Sequence, residues 1–340
     1  MAARIAINGY GRIGQCVLRA LFERGLESKL QPVAINELAD LETVSYLTRY
    51  DTTHGRFPKP VSIEGDSLKI ADQRIKVLKA ESPEQLPWGE LGVDLLLECS
   101  GSFSDRATAQ RHLDQGAARL LFSQPATADV DTTVVFGLNT DSINVNHKVV
   151  SAASCTTNCV IPILSTINKV FGIEQGVTTT IHSAMNDQPV IDAYHRTDLR
   201  LTRSALQSII PVDTGLAKGV DRLLPELAGR FECLHLRVPT INVSLMDMSI
   251  QLSRDTSVEE VNQLFKELAE GDLKGLLGFT EEPHASVDFN GDSRSVVVDG
   301  TQTRLSGKRL LKLICWFDNE WGFANRMLDI AEHWLALEKQ

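Results

Sequence analysis

The rhythm of apolar positions changes near residue 155. Ahead of it stand short continuous runs: Arg4-Ile5-Ala6-Ile7, Pro32-Val33-Ala34-Ile35, Leu95-Leu96-Leu97, Leu120-Leu121-Phe122 and Val134-Val135-Phe136. Runs of that length without alternation suit strands covered on both faces, as in a parallel sheet. Between them the spacing turns helical, with Val17, Leu18, Leu21 and Phe22 on one face and a helix expected around residues 105–115. Beyond 155 the segments lengthen and alternate, as in Val177-Thr178-Thr179-Thr180-Ile181, Asn242 to Ile250 and Leu311 to Phe317. Alternation of that kind predicts an antiparallel sheet with one covered face. Met327, Leu328, Ala331, Trp334 and Leu335 lie on one face of a closing helix. The predicted class is α/β, a doubly wound parallel sheet followed by an α+β part with a mostly antiparallel sheet. Internal repeats and low-complexity segments are absent.

The first strand leads into Asn8-Gly9-Tyr10-Gly11-Arg12-Ile13-Gly14, which spells Gly-x-Gly-x-x-Gly at 9, 11 and 14. The motif by itself is weak. Between a strand and a helix it has a physical reading: Gly9 permits the tight turn, Gly11 lets a pyrophosphate approach the backbone, and Gly14 lets helix and strand pack closely. The helix N-terminus then faces the phosphates. The second strand ends in Asn36-Glu37, where Glu37 can accept hydrogen bonds from ribose hydroxyls and would repel a 2′-phosphate. NAD is therefore expected over NADP.

Ser151-Ala-Ala-Ser-Cys-Thr-Thr-Asn-Cys159 places Cys155 among small and hydroxylated residues just before an apolar helical run. A thiol at a helix N-terminus meets unpaired N–H groups and the positive dipole end, which favour the thiolate. Cys155 is thus a candidate nucleophile, against the plainer reading of a small packing residue.

Composition removes several alternatives. With 340 residues the chain exceeds one typical core, so two domains are expected. The formal net charge of −10 and the absence of a Lys/Arg run speak against nucleic acid as the main partner. No apolar stretch reaches the roughly 18 residues of a membrane span, and no signal-peptide layout is present, so a cytoplasmic protein is expected. Six scattered cysteines do not form a disulfide framework. Cys155 and Cys159 have no second ligand pair nearby in sequence, and no metal is expected.

The glycine motif, Ser154-Cys155-Thr156-Thr157-Asn158-Cys159, His182, Arg237-Val238-Pro239-Thr240 and Asp318-Asn319-Glu320-Trp321-Gly322 occur in one order. Together they resemble the glyceraldehyde-3-phosphate dehydrogenase superfamily, over roughly residues 3–335. The resemblance implies a Rossmann NAD-binding domain over 1–154, completed by a C-terminal helix at 318–340, and a catalytic domain over 155–317. It implies Cys155 as nucleophile and His182 as the base that activates it, a histidine titrating near neutrality being the natural proton acceptor. Arg12, Ile13, Asn36, Ser123, Pro125 and Asn319 join Gly9, Gly11, Gly14 and Glu37 as implied cofactor contacts. Arg237 is implied to grip a substrate phosphate, with Arg200 also on the substrate side, while Ser154, Thr156, Thr214 and Gly215 match a second anion site. Residues 184–207 resemble the family loop that crosses to a neighbouring subunit, which implies a homotetramer.

Within the superfamily the chain looks most like members that oxidise D-erythrose 4-phosphate and feed pyridoxal phosphate synthesis. That narrower resemblance rests on Ile35-Asn36-Glu37-Leu38-Ala39-Asp40, Ile181-His182-Ser183-Ala184-Met185, Val190-Ile191-Asp192-Ala193-Tyr194-His195, Asp299-Gly300-Thr301-Gln302-Thr303-Arg304 and Trp321 to Met327. The alternative is oxidation of glyceraldehyde 3-phosphate with inorganic phosphate as second substrate. Three residues depart from the common pattern: Met185 stands where phosphorylating relatives usually carry a threonine, Phe323 where a tyrosine is common, and Ala152 where asparagine is frequent.

Overall fold

A computed structural model describes residues 2–195 and 198–337. The chain divides into two compact units, Met1–Ser154 with Phe323–Gln340, and Cys155–Gly322.

The first unit holds β1 (Ala3–Asn8), α1 (Arg12–Glu23), β2 (Leu30–Asn36), α2 (Leu41–Arg49), β3 (Tyr50–Asp51), β4 (Gly55–Arg56), β5 (Val61–Glu64), β6 (Ser67–Ile70), β7 (Gln73–Leu78), β8 (Leu95–Glu98), α3 (Arg106–Asp114), β9 (Leu120–Phe122), β10 (Thr132–Thr133) and β11 (Val149–Ser151). Nine of these strands form one sheet in the order β10-β11-β9-β8-β1-β2-β7-β6-β5. All neighbours from β10 to β7 pair in parallel, and β5 and β6 add an antiparallel edge. The apolar runs explain the parallel part, since Ile5, Ile7, Leu95, Leu96, Leu97, Leu120 and Leu121 are fully buried. β1 lies between β2 and β8, the point where strand order reverses and open α/β sheets bind ligands.

Val134-Val135-Phe136 corrects the sequence reading. Strand pairing stops at Thr133, and only Val134 N–H continues it, on the Ser151 carbonyl at 2.8 Å. Asn139 then closes a turn, accepting from Val135 N–H at 2.8 Å and donating to the Thr133 carbonyl at 2.9 Å, with Gly137 at φ +87°. Both valines stay buried, so apolar content there reports burial and not a strand.

The second unit holds α4 (Cys155–Phe171), β12 (Ile173–His182), β13 (Ile210–Val212), α5 (Leu216–Leu223), β14 (Phe231–Arg237), β15 (Ser244–Leu252), α6 (Val258–Glu270), β16 (Leu277–Thr280), β17 (Val296–Asp299), β18 (Arg304–Ser306) and β19 (Leu310–Phe317). Its sheet runs β13-β14-β12-β15-β19-β17-β16, with β18 on β19. Along β15 buried and half-buried residues alternate from end to end, the one-sided pattern expected of it. Most pairs are antiparallel; β12–β14 and β16–β17 are parallel. The β12–β14 exception positions chemistry, because parallel pairing brings the C-terminal ends of both strands to one edge, with His182 opposite Arg237. A final helix, α7 (Trp321–Ala336), belongs from Phe323 onward to the first unit.

Candidate active site

At the glycine turn, Gly9 has φ +87° and a Cβ there would drive into the Ser100 backbone. A Cβ on Gly14 would strike the Gly9 carbonyl oxygen, so this glycine is what lets α1 lie against the turn. Gly11 has nothing within 4 Å of where a Cβ would stand. It is the N-cap of α1 and supplies no side-chain cap to the helix start. Beside it lies a cleft of about 340 Å³ lined by Gly9, Gly11, Asn36, Glu37, Ala80 and Ser100, among others. An open helix N-terminus and a glycine with free space over it fit a pyrophosphate.

Glu37 lines this cleft with its carboxylate already engaged: Oε2 accepts from Tyr10 N–H at 2.9 Å and Oε1 from Leu38 N–H at 2.7 Å. Asn36 is buried and tied to Asn8 and to both backbone groups of Ala80. Arg12 turns its guanidinium onto Asp51, at 2.6 and 3.1 Å. Although burial pushes the Asp51 carboxyl up, the Arg12 bond and backbone donors outweigh it and hold it at about 2. Ile13 and Ser123 are half-buried and Pro125 is exposed.

In the second unit Cys155 opens α4 and His182 closes β12, with Sγ 3.8 Å from Nε2. Arg237, at the end of β14, places Nη1 2.7 Å from His182 Nδ1, and the Ser183 carbonyl lies 2.8 Å from the same nitrogen. Thr156 Oγ1 stands 3.8 Å from Sγ. Thr214 and Gly215 sit just ahead of α5, where Thr214 Oγ1 accepts from Leu216 N–H at 3.2 Å. Helix α5 runs past the first turn of α4, so that a Cβ on Gly219 would lie 3.6 Å from Thr157 Oγ1. Arg200 is exposed in a short 3-10 turn of the 184–207 segment, with its backbone N–H on Asp198. Ser154 is half-buried at the end of the first unit. Asn319 is buried with Oδ1 accepting from Ser183 and Ser244 hydroxyls at 3.0 and 2.8 Å, which fixes its amide orientation.

Two electrostatic expectations are corrected. Desolvation pushes the Cys155 thiol up, exceeding the lowering by Thr156, Arg237 and the helix-start backbone N–H groups that the sequence reading emphasised. His182, 3% exposed, is pushed well below the usual histidine range, first by burial and then by Arg237, instead of titrating near neutrality. Burial thus disfavours the charged form of both groups.

Four contributors escaped the sequence reading. His235 stacks on His182, ring centroids 5.1 Å apart at 26°; its signal was two-residue spacing from Arg237 on one strand, which shares a face. Ser183, just past β12, and Ser244, at the start of β15, orient Asn319, and their approach to one another has no local signature. Ala153 holds φ +59° just before Ser154-Cys155, with its N–H on Ser151 Oγ at 3.0 Å. A non-glycine residue in this region carries strain of about 1–3 kcal/mol.

The first unit thus has the architecture of a dinucleotide-dependent oxidoreductase, and comparison with known families makes the assignment narrower. Residues 3–106 match the glyceraldehyde 3-phosphate dehydrogenase NAD-binding domain, and residues 154–319 match the glyceraldehyde 3-phosphate dehydrogenase C-terminal domain. The chain belongs to the glyceraldehyde-3-phosphate dehydrogenase superfamily and is an NAD-dependent aldehyde dehydrogenase. Among the described residues no helix is long and apolar enough to cross a membrane.

Proposed function

We propose that the protein oxidises D-erythrose 4-phosphate to 4-phospho-D-erythronate, with Cys155 as nucleophile and His182 as general base, in the supply of pyridoxal 5′-phosphate. The observation that carries the chemistry is the 3.8 Å approach of Cys155 Sγ to His182 Nε2 beside Arg237. An aldehyde does not readily release hydride, whereas its thiohemiacetal on Cys155 does once His182 takes the hydroxyl proton. NAD, when bound, accepts that hydride. The thioester left on Cys155 keeps a reactive carbonyl, and water completes the reaction. Arg237, with its buried Nε unpaired, suits the substrate phosphate. Asn319, its oxygen occupied, keeps an amide N–H for a carboxamide carbonyl on the cofactor.

The four-carbon substrate is favoured by the segments that resemble the erythrose 4-phosphate enzymes and by Met185, which offers no hydroxyl where phosphorylating relatives usually have one. The hydroxyls of Thr156 and Thr214 favour a second reading, in which inorganic phosphate resolves the thioester formed from glyceraldehyde 3-phosphate. NADH formation from each sugar phosphate, with and without inorganic phosphate, separates them. Faster, phosphate-independent turnover of erythrose 4-phosphate is expected; faster, phosphate-dependent turnover of glyceraldehyde 3-phosphate would transfer the assignment to the second reading.

We also infer a homotetramer in the cytoplasm. Val190, Ile191, Tyr194, Leu199 and Leu206 are all exposed within the 184–207 segment, an apolar density that suits cover by another copy of the chain. Equilibrium sedimentation tests it.

A further inference from the structure

The Nδ1 edge of His182 is oversubscribed. The Ser183 carbonyl lies 2.8 Å from it and Arg237 Nη1 lies 2.7 Å from it. The first contact requires a proton on Nδ1 and the second requires Nδ1 bare, so a neutral imidazole satisfies one of the two. The ring is stacked on His235, and a flip within its own plane that relieved Nδ1 would give up the Nε2 approach to Cys155. Arg237 itself is incompletely used: Nε is buried and unpaired, and burial works against its charge more than the nearby Asp187 carboxylate favours it.

We propose that Arg237 is a positioning residue for His182, holding the base in an idle tautomer until an anion draws the guanidinium away. The proposal rests on the reading of Cys155 and His182 given above. With Nη1 donating to Nδ1, the single ring proton sits on Nε2 and faces Sγ, so the imidazole offers the thiol no lone pair. A phosphate group offers the guanidinium two oxygens and stronger, charge-assisted bonds. When Arg237 turns to them, Nδ1 takes a proton from solvent and donates to Ser183, and the Nε2 proton departs to solvent. Nε2 then presents a lone pair to the thiol. The thiol proton moves to Nε2, leaving a thiolate on Cys155 and an imidazolium at His182, with no change in oxidation state. The nucleophile is thereby made only when a phosphorylated ligand is present.

Iodoacetamide alkylation of the full-length protein at pH 7, without NAD and with or without saturating inorganic phosphate, tests the gate; the Cys155 adduct is read by peptide mass spectrometry. Phosphate is expected to accelerate alkylation about tenfold, the effect of one pKa unit on the reactive population. Arg237→Leu is expected to react at the raised rate without phosphate and to ignore its addition. If Arg237 acts only as a positive charge beside the thiol, both signs invert, and phosphate and the substitution each slow the reaction. Inversion, an unchanged wild-type rate, or an acceleration that persists in Arg237→Leu overturns the gate. The wild-type arm stands even if the variant fails to fold. Alkylation that spares Cys155, or that leaves NADH formation intact, overturns the site reading and the gate with it; correct modification with the wrong phosphate response overturns the gate alone.

Discussion

At the glycine turn of the first unit, what matters is the side chains that are not there. Gly9 and Gly14 lack a Cβ because backbone atoms already occupy the space, and Gly11 lacks one where space is open. At the Cys155 cluster of the second unit the reacting groups are titratable side chains, and burial is the largest influence on Cys155 and His182. The steric site depends on residue identity and spacing. The electrostatic site depends on how much water the rest of the fold excludes, which no local spacing encodes.

The largest effect that sharpens this contrast is expected from His182→Asn. Removal of a general base slows hydride transfer by roughly 10²–10⁴-fold, and NAD affinity should change little, because the glycine turn lies in the other unit. Single-turnover NADH formation beside equilibrium NAD titration checks both halves. Unchanged turnover would remove His182 from the mechanism.

The glycines provide the complementary experiment. Gly9→Ala forces a Cβ into the Ser100 backbone at φ +87°, and overpacking with backbone strain costs about 2–4 kcal/mol. Gly11→Ala meets no atom and keeps φ at −72°, so the folded protein should lose less than about 1 kcal/mol while NAD binding weakens. Urea unfolding and NAD titration of both variants separate packing from binding. Equal loss of stability in the two would break the assignment of Gly11 to ligand approach.

How much of this was legible follows the same division. The parallel strands and the closing helix could be read because apolar runs and helical spacing are local, and the Gly-x-Gly-x-x-Gly turn because sterics leave few other residues possible. Val134-Val135-Phe136 misled because a buried turn and a buried strand share composition. The antiparallel β5–β6–β7 edge does alternate, with Val61, Ile63, Leu68, Ile70, Ile75 and Val77 at every second position, but each strand is short and Ile63 is exposed, so the pattern went unread. In the second unit the motif residues could be named, but the parallel pairing that sets His182 opposite Arg237 is an exception inside a mostly antiparallel sheet. The raised thiol and depressed imidazole then follow from burial produced by residues distant in sequence.

Glu37 lies between the two kinds of site, being a charge placed by backbone. Its oxygens accept from Tyr10, Leu38 and Ala39 N–H groups, so its charge is delivered to the cleft in a fixed orientation. Glu37→Ala should lower the preference for NAD over NADP about tenfold, by removing both ribose acceptance and repulsion of the 2′-phosphate. Glu37→Gln keeps an acceptor for the loop and isolates the charge. An unaltered ratio of specificity constants in both variants would end the assignment.

The smallest effect concerns acid stability. His112 in the first unit and His235 in the second are each held at about 4, first by burial. An unfolded histidine titrates near 6.5, so between about pH 6.5 and 4 the unfolded chain binds more protons and stability falls on acidification. Beside His112 the sign is partly offset, because Glu98, 3.5 Å away, is pushed up by burial and the folded state takes a proton there more readily. Beside His235 the charged neighbour is Arg237, which adds to the penalty on both His235 and His182. His235→Val, placed in a strand that accommodates β-branched residues, should therefore reduce the stability lost between pH 7 and pH 5.5 by about 1 kcal/mol. Urea midpoints at the two pH values measure it. If the variant loses as much stability as the parent, His235 is not held neutral in the native protein.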